Sequence, residues 1–396
     1  MKSREVKLYT NYFKIVNDPN LVISQLNIGV EPELNEAGEM KNWLLKKLVR
    51  QITPELKKLI PYWVRLGQAI YAPKNLQALD IPAYETEVDD QKYKIKVEWH
   101  SQITMQNDQL KYFNVMRQVF EQMQGSLGLQ RIGRSLHDPL KEKEFELLGI
   151  NIWPGHQAQL CLRDAGMMLQ VNSVHAVIRT NETVLDKIRV VKEINEARGR
   201  EYTKEIHDLV VGQAVITKYN KRAYRIDDVA FDKSPDSTFT LVHQGEEFHV
   251  SYSDYLRNKH KVEVKEANQP MLVVFDTHRE QIVYLVPEFC LFVGVTEQLM
   301  DDRKAWREVK LARRTDAPIK IKESTEFVTT VMSDPGAIQR MQSWRFYIEQ
   351  EVLSLQGYKY EAGDVLMGHG HHPAYLSGTT DAFDRLVREQ NKDAQP

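Results

Sequence analysis

Cysteine is nearly missing from this chain: two occur among 396 residues, Cys161 and Cys290. Each lies in an apolar run (QLCLR and PEFCLF), so a disulfide framework is excluded and two reduced, packed thiols in an intracellular protein are expected. No run of ~18 apolar residues occurs, which excludes a hydrophobic membrane-spanning helix. The opening MKSREVKLYTNYF lacks the apolar stretch of a secretory signal. Net charge is also small, −2. Non-specific phosphate binding needs dense Lys and Arg, so any nucleic-acid site must be local. Internal repeats and long low-complexity stretches are absent.

What remains is the composition of an ordinary soluble protein, 42% hydrophobic and 27% charged. A chain of this length accommodates roughly two to four modules, each with its own core. Residues 5–30 alternate apolar and polar around Asp18-Pro19-Asn20, which predicts a hairpin-like pair of strands. From Glu36 to Leu59 the period becomes helical, with Trp43, Leu44, Leu48, Val49 and Ile52 on one face and an interruption expected at Pro54. Strands return near Ile70–Tyr71 and over 93–105. A helix is predicted over 107–126, capped by Asn107 or Asp108. Turns at Asp-Pro and Trp-Pro-Gly follow, then alternating strands. A helix over Thr183–Arg198 opens a module of short strands: VVGQAVITKY, AYRIDDVAF, STFTLVH, EEFHVSY, PMLVVFD and QIVYLVP. Six short strands, interrupted by helix near Tyr252–Lys259, predict a small open barrel with an inserted α/β piece. A helix over Thr296–Ala312 and helix-like sequence to about Leu353 close the pattern. The polar segment from His369 to Pro396 is expected to be loose.

Three stretches carry a family resemblance. KLYTNYFKI (7–15) is similar to the opening strand of PIWI-clade Argonaute proteins. RIGRSLHDP (131–139), INIWPGHQAQL (150–160) and VNSVHAVIRTNETVLD (171–186) resemble that family's first linker. VVGQAVITKYNKRAYRIDDVAFDKSPDSTF (210–239), NQPMLVV (268–274) and YLVPEFCLFVGVTEQLMDD (284–302) resemble its PAZ domain and the segment closing it. The order of the motifs is the family's order along nearly the whole chain.

The resemblance implies an α+β multidomain protein: an N domain (1–105), a first linker (106–180), a PAZ domain (181–298), a second linker (299–372) and a flexible tail (373–396). The PAZ domain would be an open, OB-like small β-barrel with an inserted α/β element. It implies capture of the 3′ end of a small single-stranded, piRNA-like guide RNA, often 2′-O-methylated, in RNA silencing. Other silencing proteins would be further partners, and cytoplasm or nucleus the location. The family's nuclease domain would be absent, so neither catalysis nor a cofactor is expected. Two alternatives stay open: a partner or scaffold module with a degenerate PAZ domain, and a fragment of a slicing Argonaute.

RNA ends are read by stacking bases on aromatic rings and by donors aimed at the last phosphates. By resemblance the phosphate and ribose contacts fall on Lys218, Tyr224, Arg225, Tyr255, Lys259 and His260. The walls fall on Phe239 and Leu285, with Met271 as a neighbour. Tyr is usual in the family where His260 stands, so a weaker or pH-dependent phosphate contact is expected there. Read without the family, Tyr224, Phe239 and Leu285 fit barrel core, the common fate of such side chains at strand spacing. Lys218, Lys221 and Arg222 fit a solvated hairpin, with Lys221 directed to solvent. The pairs Asp227–Asp228 and Asp301–Asp302 are expected to serve turns and helix starts rather than metal chemistry. His369, His371 and His372 supply imidazoles without a scaffold for a closed metal site. Lys46, Lys47 and Arg50 fit either an ordinary amphipathic helix or one tracking an RNA backbone.

Overall fold

The computed structural model describes residues 3–33, 38–88, 91–243, 246–276, 281–313, 316–360, 365–367 and 370–372. The expected tail, 373–396, and His369 lie outside the described residues. The chain divides into a large unit, Asn11–Glu351, and a small one, Met1–Thr10 with Val352–Pro396. Within the small unit, Thr10 Oγ1 donates to the Leu353 carbonyl (2.8 Å), and Val365–Met367 pairs antiparallel with Gly370–His372.

The front of the large unit is a five-stranded antiparallel sheet. Its order is Val64–Leu66, Ala69–Ala72, Ile23–Glu31, Gln91–Ile103, Tyr84–Val88. The helix Gly38–Leu59 covers one face. Leu44, Leu48, Ile52 and Leu56 recur every turn and pack on Leu26, Ile70 and Ile95 of the sheet. Each buried leucine contributes about 1.5–3 kcal/mol, enough to carry the helix through Pro54, where the sequence predicted an interruption. The Thr53 hydroxyl donates to the Val49 carbonyl just before the proline (2.8 Å).

The expected hairpin of the first 30 residues does not form. Ser3–Asn17 pairs instead with Gly166–Arg179, as in Phe13↔Leu169, whereas Ile23–Glu31 joins the front sheet. The separation happens at Asp18, whose amide donates to the Arg345 carbonyl (2.9 Å). Its carboxylate accepts the Asn20 amide (2.8 Å).

A seven-stranded sheet follows, built around the long hairpin Ile150–Arg163 and Gly166–Arg179. Trp153-Pro154-Gly155, read from sequence as a turn, lies inside the first of these strands. Pro154 falls between the stretch paired with Lys143–Phe145 and that paired with Ser135–His137. A missing N–H is tolerated where the edge neighbour changes. A Cβ on Gly155 would come within 2.4 Å of the Leu136 carbonyl, so glycine permits that pairing.

The helix Gln109–Gln124 starts at the Asp108 cap, one of the two residues predicted. The single helix expected over 296–312 is broken in two, Glu297–Asp301 and Arg303–Arg313. Asp302 ends the first and accepts the amides of Lys304 (2.9 Å) and Ala305 (3.1 Å) in the second. Helices Ala317–Ser333 and Pro335–Ser343 are followed by a strand, Phe346–Tyr360, where helix had been expected. The alternation of buried Phe346 and Ile348 with exposed Tyr347 has the period of a strand.

The next module begins with Val184–Ala197, started by a reciprocal cap between Thr183 and Asp186. Two three-stranded antiparallel sheets follow. One holds Ala223–Arg225, Ala214–Thr217 and Cys290–Phe292; the other holds Asp228–Ala230, Met271–Asp276 and Gln281–Leu285. The run AYRIDDVAF, expected as one strand, turns a corner between them. Ile226 exchanges backbone bonds with Gly212 (2.8 Å) and Gln213 (3.0 Å), and the Asp227 amide donates to Val273 in the other sheet (2.9 Å). The sheets thus share one core, which includes Val215, Ile226, Val229, Leu272, Leu285 and Phe292. Inserted before Met271 are a hairpin, Thr238–His243 with Glu246–Ser251, and a helical turn through Tyr252–Tyr255 and Leu256–His260. This is the open barrel with an inserted element that the strand spacing predicted. Both cysteines are free thiols, and no helix among the described residues is long and apolar enough to cross a membrane.

Candidate functional site

Between the barrel and its inserted element lies a cavity of about 810 Å³. The helical turn provides one wall. Tyr252 and Tyr255 are three residues apart, which puts both rings on one face, and buried Leu256 fixes the turn to Met271 and Val286 below. Ser251 starts it by accepting the Asp254 amide (3.0 Å).

Six rings form a continuous series along the cavity. Tyr219 lies 4.5 Å from His260, and His260 is edge-on to Tyr255 at 5.8 Å. Tyr255 meets Phe239 edge-on at 5.5 Å, and Phe239 stacks on Tyr252 at 4.7 Å. Tyr252 continues to Tyr284 at 5.8 Å. All six line the cavity. Rings so arranged present faces and edges to a planar ligand, and hydroxyls to a polar one.

Two cations stand at this lining. The Lys259 ammonium donates to the Tyr255 hydroxyl (2.8 Å) and sits 5.0 Å from that ring's centre. Arg222 forms no ion pair with a carboxylate among the described residues. His260 has its pKa lowered by burial first, then by Lys259 and Arg222, so it is held neutral at neutral pH. Burial, then Tyr284, pushes the Tyr252 phenol up to about 12. Burial likewise raises Tyr219 far above the usual phenol range. These hydroxyls remain protonated and available as donors.

The turn carrying Tyr219 and Arg222 is tied down from outside the barrel. Thr217 and Lys221 close it through backbone bonds from Lys221 to Thr217 (2.9 Å) and from Thr217 to Arg222 (3.0 Å). Lys221 adopts φ +51°, a conformation uncommon for residues other than glycine. Its ammonium pairs with Glu142, correcting the expectation that it points to solvent. Glu142 also accepts from Asn151 (2.6 Å) and Trp153 (3.1 Å). Burial opposes its ionisation, but the bonds from Lys221, Trp153 and Asn151 outweigh that and hold its pKa below the usual value.

Of the residues singled out from sequence, the structure brings Tyr224, Phe239, Tyr255, Lys259, His260 and Leu285 to the cavity wall. It does not bring Lys218, Arg225 or Met271 there. Lys218 is exposed, with its amide bonded to the Phe289 carbonyl (2.8 Å). Arg225 follows Tyr224 in the same strand, and alternation turns it to the other face. Met271 is fully buried beneath the helical turn. Sequence reasoning passed over Tyr219, Tyr252, Tyr284, Arg222 and Gln130 as wall residues. Helical spacing from Tyr255 could have found Tyr252, and strand spacing from Tyr224 could have found Arg222.

Three of the four residues in the acidic pairs accept backbone amides. Asp227 accepts the Phe275 amide (2.7 Å), Asp228 accepts the Val229 amide (2.7 Å), and Asp302 caps a helix. No group of three or more His, Cys, Asp or Glu that could hold a metal ion occurs among the described residues.

The PAZ domain family model matches residues 188–312. Piwi-like protein Siwi of Bombyx mori is 24% identical over 392 residues, covering 97% of this chain and 41% of its own length. Protein piwi of Drosophila melanogaster is 24% identical over 399 residues, covering 97% of this chain and 44% of its own length. Piwi-like protein 3 of Homo sapiens is 25% identical over 400 residues, with coverage of 97% and 42%. The solved structure of Drosophila Piwi shares the fold, with a TM-score of 0.60 at 21% identity over 94% of this chain and 46% of that one. The chain therefore spans less than half the length of these relatives.

Proposed function

The chain carries a PAZ domain and is related to Piwi-like proteins along nearly its whole length, and from that premise we propose that it binds a small single-stranded RNA by its 3′ end in PIWI-type silencing. The observation that carries this reading is the series of six rings with Lys259 and Arg222 around one cavity. Bases stack on rings whatever their sequence, and the ammonium, guanidinium and phenol groups meet phosphate and ribose oxygens. Nothing in that set selects a base edge, so binding is independent of sequence and dependent on the end. Tyr224, Phe239 and Tyr255 are half-buried on an accessible cavity rather than sealed in the core, which favours a binding cleft over a degenerate one.

Cleavage is no part of this proposal; Asp227, Asp228 and Asp302 each accept a backbone amide. Fluorescence anisotropy with single-stranded RNAs that differ only at the 3′ end tests the reading. A free 3′ hydroxyl, plain or 2′-O-methylated, binds more tightly than a 3′ phosphate, whose added charge must enter a partly desolvated cleft. Equal affinity for free and phosphorylated ends removes the proposal.

A further inference from the structure

One wall residue comes from outside the PAZ match. Gln130 belongs to the short strand Gln130–Ile132 and lines the cavity beside Asn220, Arg222 and Ala223. Its place is fixed from two sides. The strand pairs with Ser135–His137, as in Gln130↔His137. Two residues along, on the same face, Ile132 packs with Trp153, Ile216 and Ala223. The Gln130 side chain is half-used: Oε1 accepts the Ala223 amide (3.3 Å), while Nε2 has no hydrogen-bond partner among the described residues. A carboxamide carries two N–H donors, and at a half-buried position on an open cleft they are available to a ligand oxygen.

We propose that Gln130 is a direct contact for the RNA 3′ end, donating from Nε2 to a phosphate or ribose oxygen of the terminal nucleotides. The proposal rests on the RNA-binding reading above. It makes the cleft composite: the strand before the barrel supplies a neutral donor to the same patch as Arg222. A glutamine carries no charge, so this contact adds geometric selection of the end without adding to the non-specific attraction that Lys and Arg exert.

The test separates seating from contact. Gln130→Glu keeps the acceptor oxygen for Ala223 but replaces the donor by a negative charge. In the full chain, with a single-stranded RNA ending in a 3′ hydroxyl, Gln130→Glu weakens binding about tenfold and Gln130→Ala about threefold, as expected for losing one donor to a charged group with and without added repulsion. The excess loss in the Glu variant shrinks as salt rises. If Gln130 only seats Ala223, the Glu variant suffers screened repulsion alone and returns to wild-type affinity at high salt while the Ala variant stays weak, and the proposal falls. Should the Glu variant melt early, Gln130→Cys in a Cys161→Ser background decides by crosslinking. A thiol-reactive group on the terminal nucleotide must react, whereas equal reaction of an internally placed group overturns the contact. Wild-type protein that binds through Tyr255 yet ignores Gln130 sinks this inference alone. Wild-type protein that binds no RNA sinks both it and the reading beneath it.

Discussion

The front sheet and the barrel spend the same side chains in opposite ways. In the front sheet Trp63, Tyr84 and Trp99 pack against the core under the helix Gly38–Leu59, and the ring nitrogens and hydroxyl are buried without hydrogen-bond partners. Their polar tips are wasted there and the rings act as bulk. In the barrel module no helix closes over Tyr252, Tyr255 and Phe239, so the rings stay half-exposed around a cavity. The cations differ likewise. Lys92 and Lys94 face Glu87 and Glu85 across the front strands, and Lys96 pairs with Glu31 (2.6 Å). Lys259 leans on a phenol, and Arg222 has no carboxylate partner among the described residues. Composition cannot separate these regions, because the difference lies in what covers the rings and what neutralises the lysines.

The largest effect that sharpens the contrast is on stability. Leu48→Ala, fully buried under the front helix, costs about 2–5 kcal/mol by cavity formation. Chemical denaturation reads that loss, while RNA affinity of the folded protein stays at the wild-type value. Next comes Tyr255→Ala, which removes a ring and the anchor of Lys259. It weakens RNA binding by about 1–3 kcal/mol, the usual cost of losing one base stack, with little change in the melting curve. A large melting loss with unchanged affinity would make Tyr255 a core residue like Trp99 and break the comparison.

Acid should act on the cleft in a definite direction. The His260 pKa is lowered by burial, Lys259 and Arg222, with the phenols of Tyr219 and Tyr255 as its ring neighbours. Without ligand, its neutral form contributes stability above the ordinary histidine pKa. That contribution is lost as pH falls below it, because the unfolded chain takes up the proton first. Bound phosphate reverses the preference for the neutral ring, so RNA affinity rises as pH falls from 7 toward 5.5. His260→Gln flattens the rise, and a rise of the same size in that variant would assign it elsewhere. The smallest effect is expected at Lys96→Met, an exposed pair on the front sheet. Surface ion pairs contribute little, and neither melting nor RNA binding should move beyond error.

Much of this was legible in the sequence where a single period persisted. Gln109–Gln124 and Val184–Ala197 were readable from their spacing and caps, and the short strands of the barrel from their turns. Failures came where distant partners decide. Nothing local distinguishes a hairpin from two strands in separate sheets, and the Asp18 bond to Arg345 that parts them spans the chain. Pro54 and Trp153-Pro154-Gly155 read as breaks because the neighbours that tolerate them are far away in sequence. At the cleft, the motif-bearing residues Phe239 and Tyr255 could be named. Lys218 and Arg225 have the right chemistry but do not line the cavity. Gln130 and the Lys221–Glu142 pair had no signal, since each joins segments about 80 to 90 residues apart.

The hairpin bearing Phe239 has one property that concerns time rather than affinity. Its two strands pair only with each other among the described strands, and a lone two-stranded ribbon is marginal in water. It is held at its base by backbone bonds from Tyr252 to Ser237 (3.3 Å) and from Ser253 to Pro235 (2.9 Å), and by the Phe239–Tyr252 stack. Segments of this kind open locally well before a molecule unfolds. Each opening takes away one wall of the cleft while the barrel stays intact. On the proposed RNA-binding reading, the lifetime of a captured end follows the lifting of this ribbon, and amides of Thr238–His243 are expected to exchange with solvent faster than those of the barrel strands.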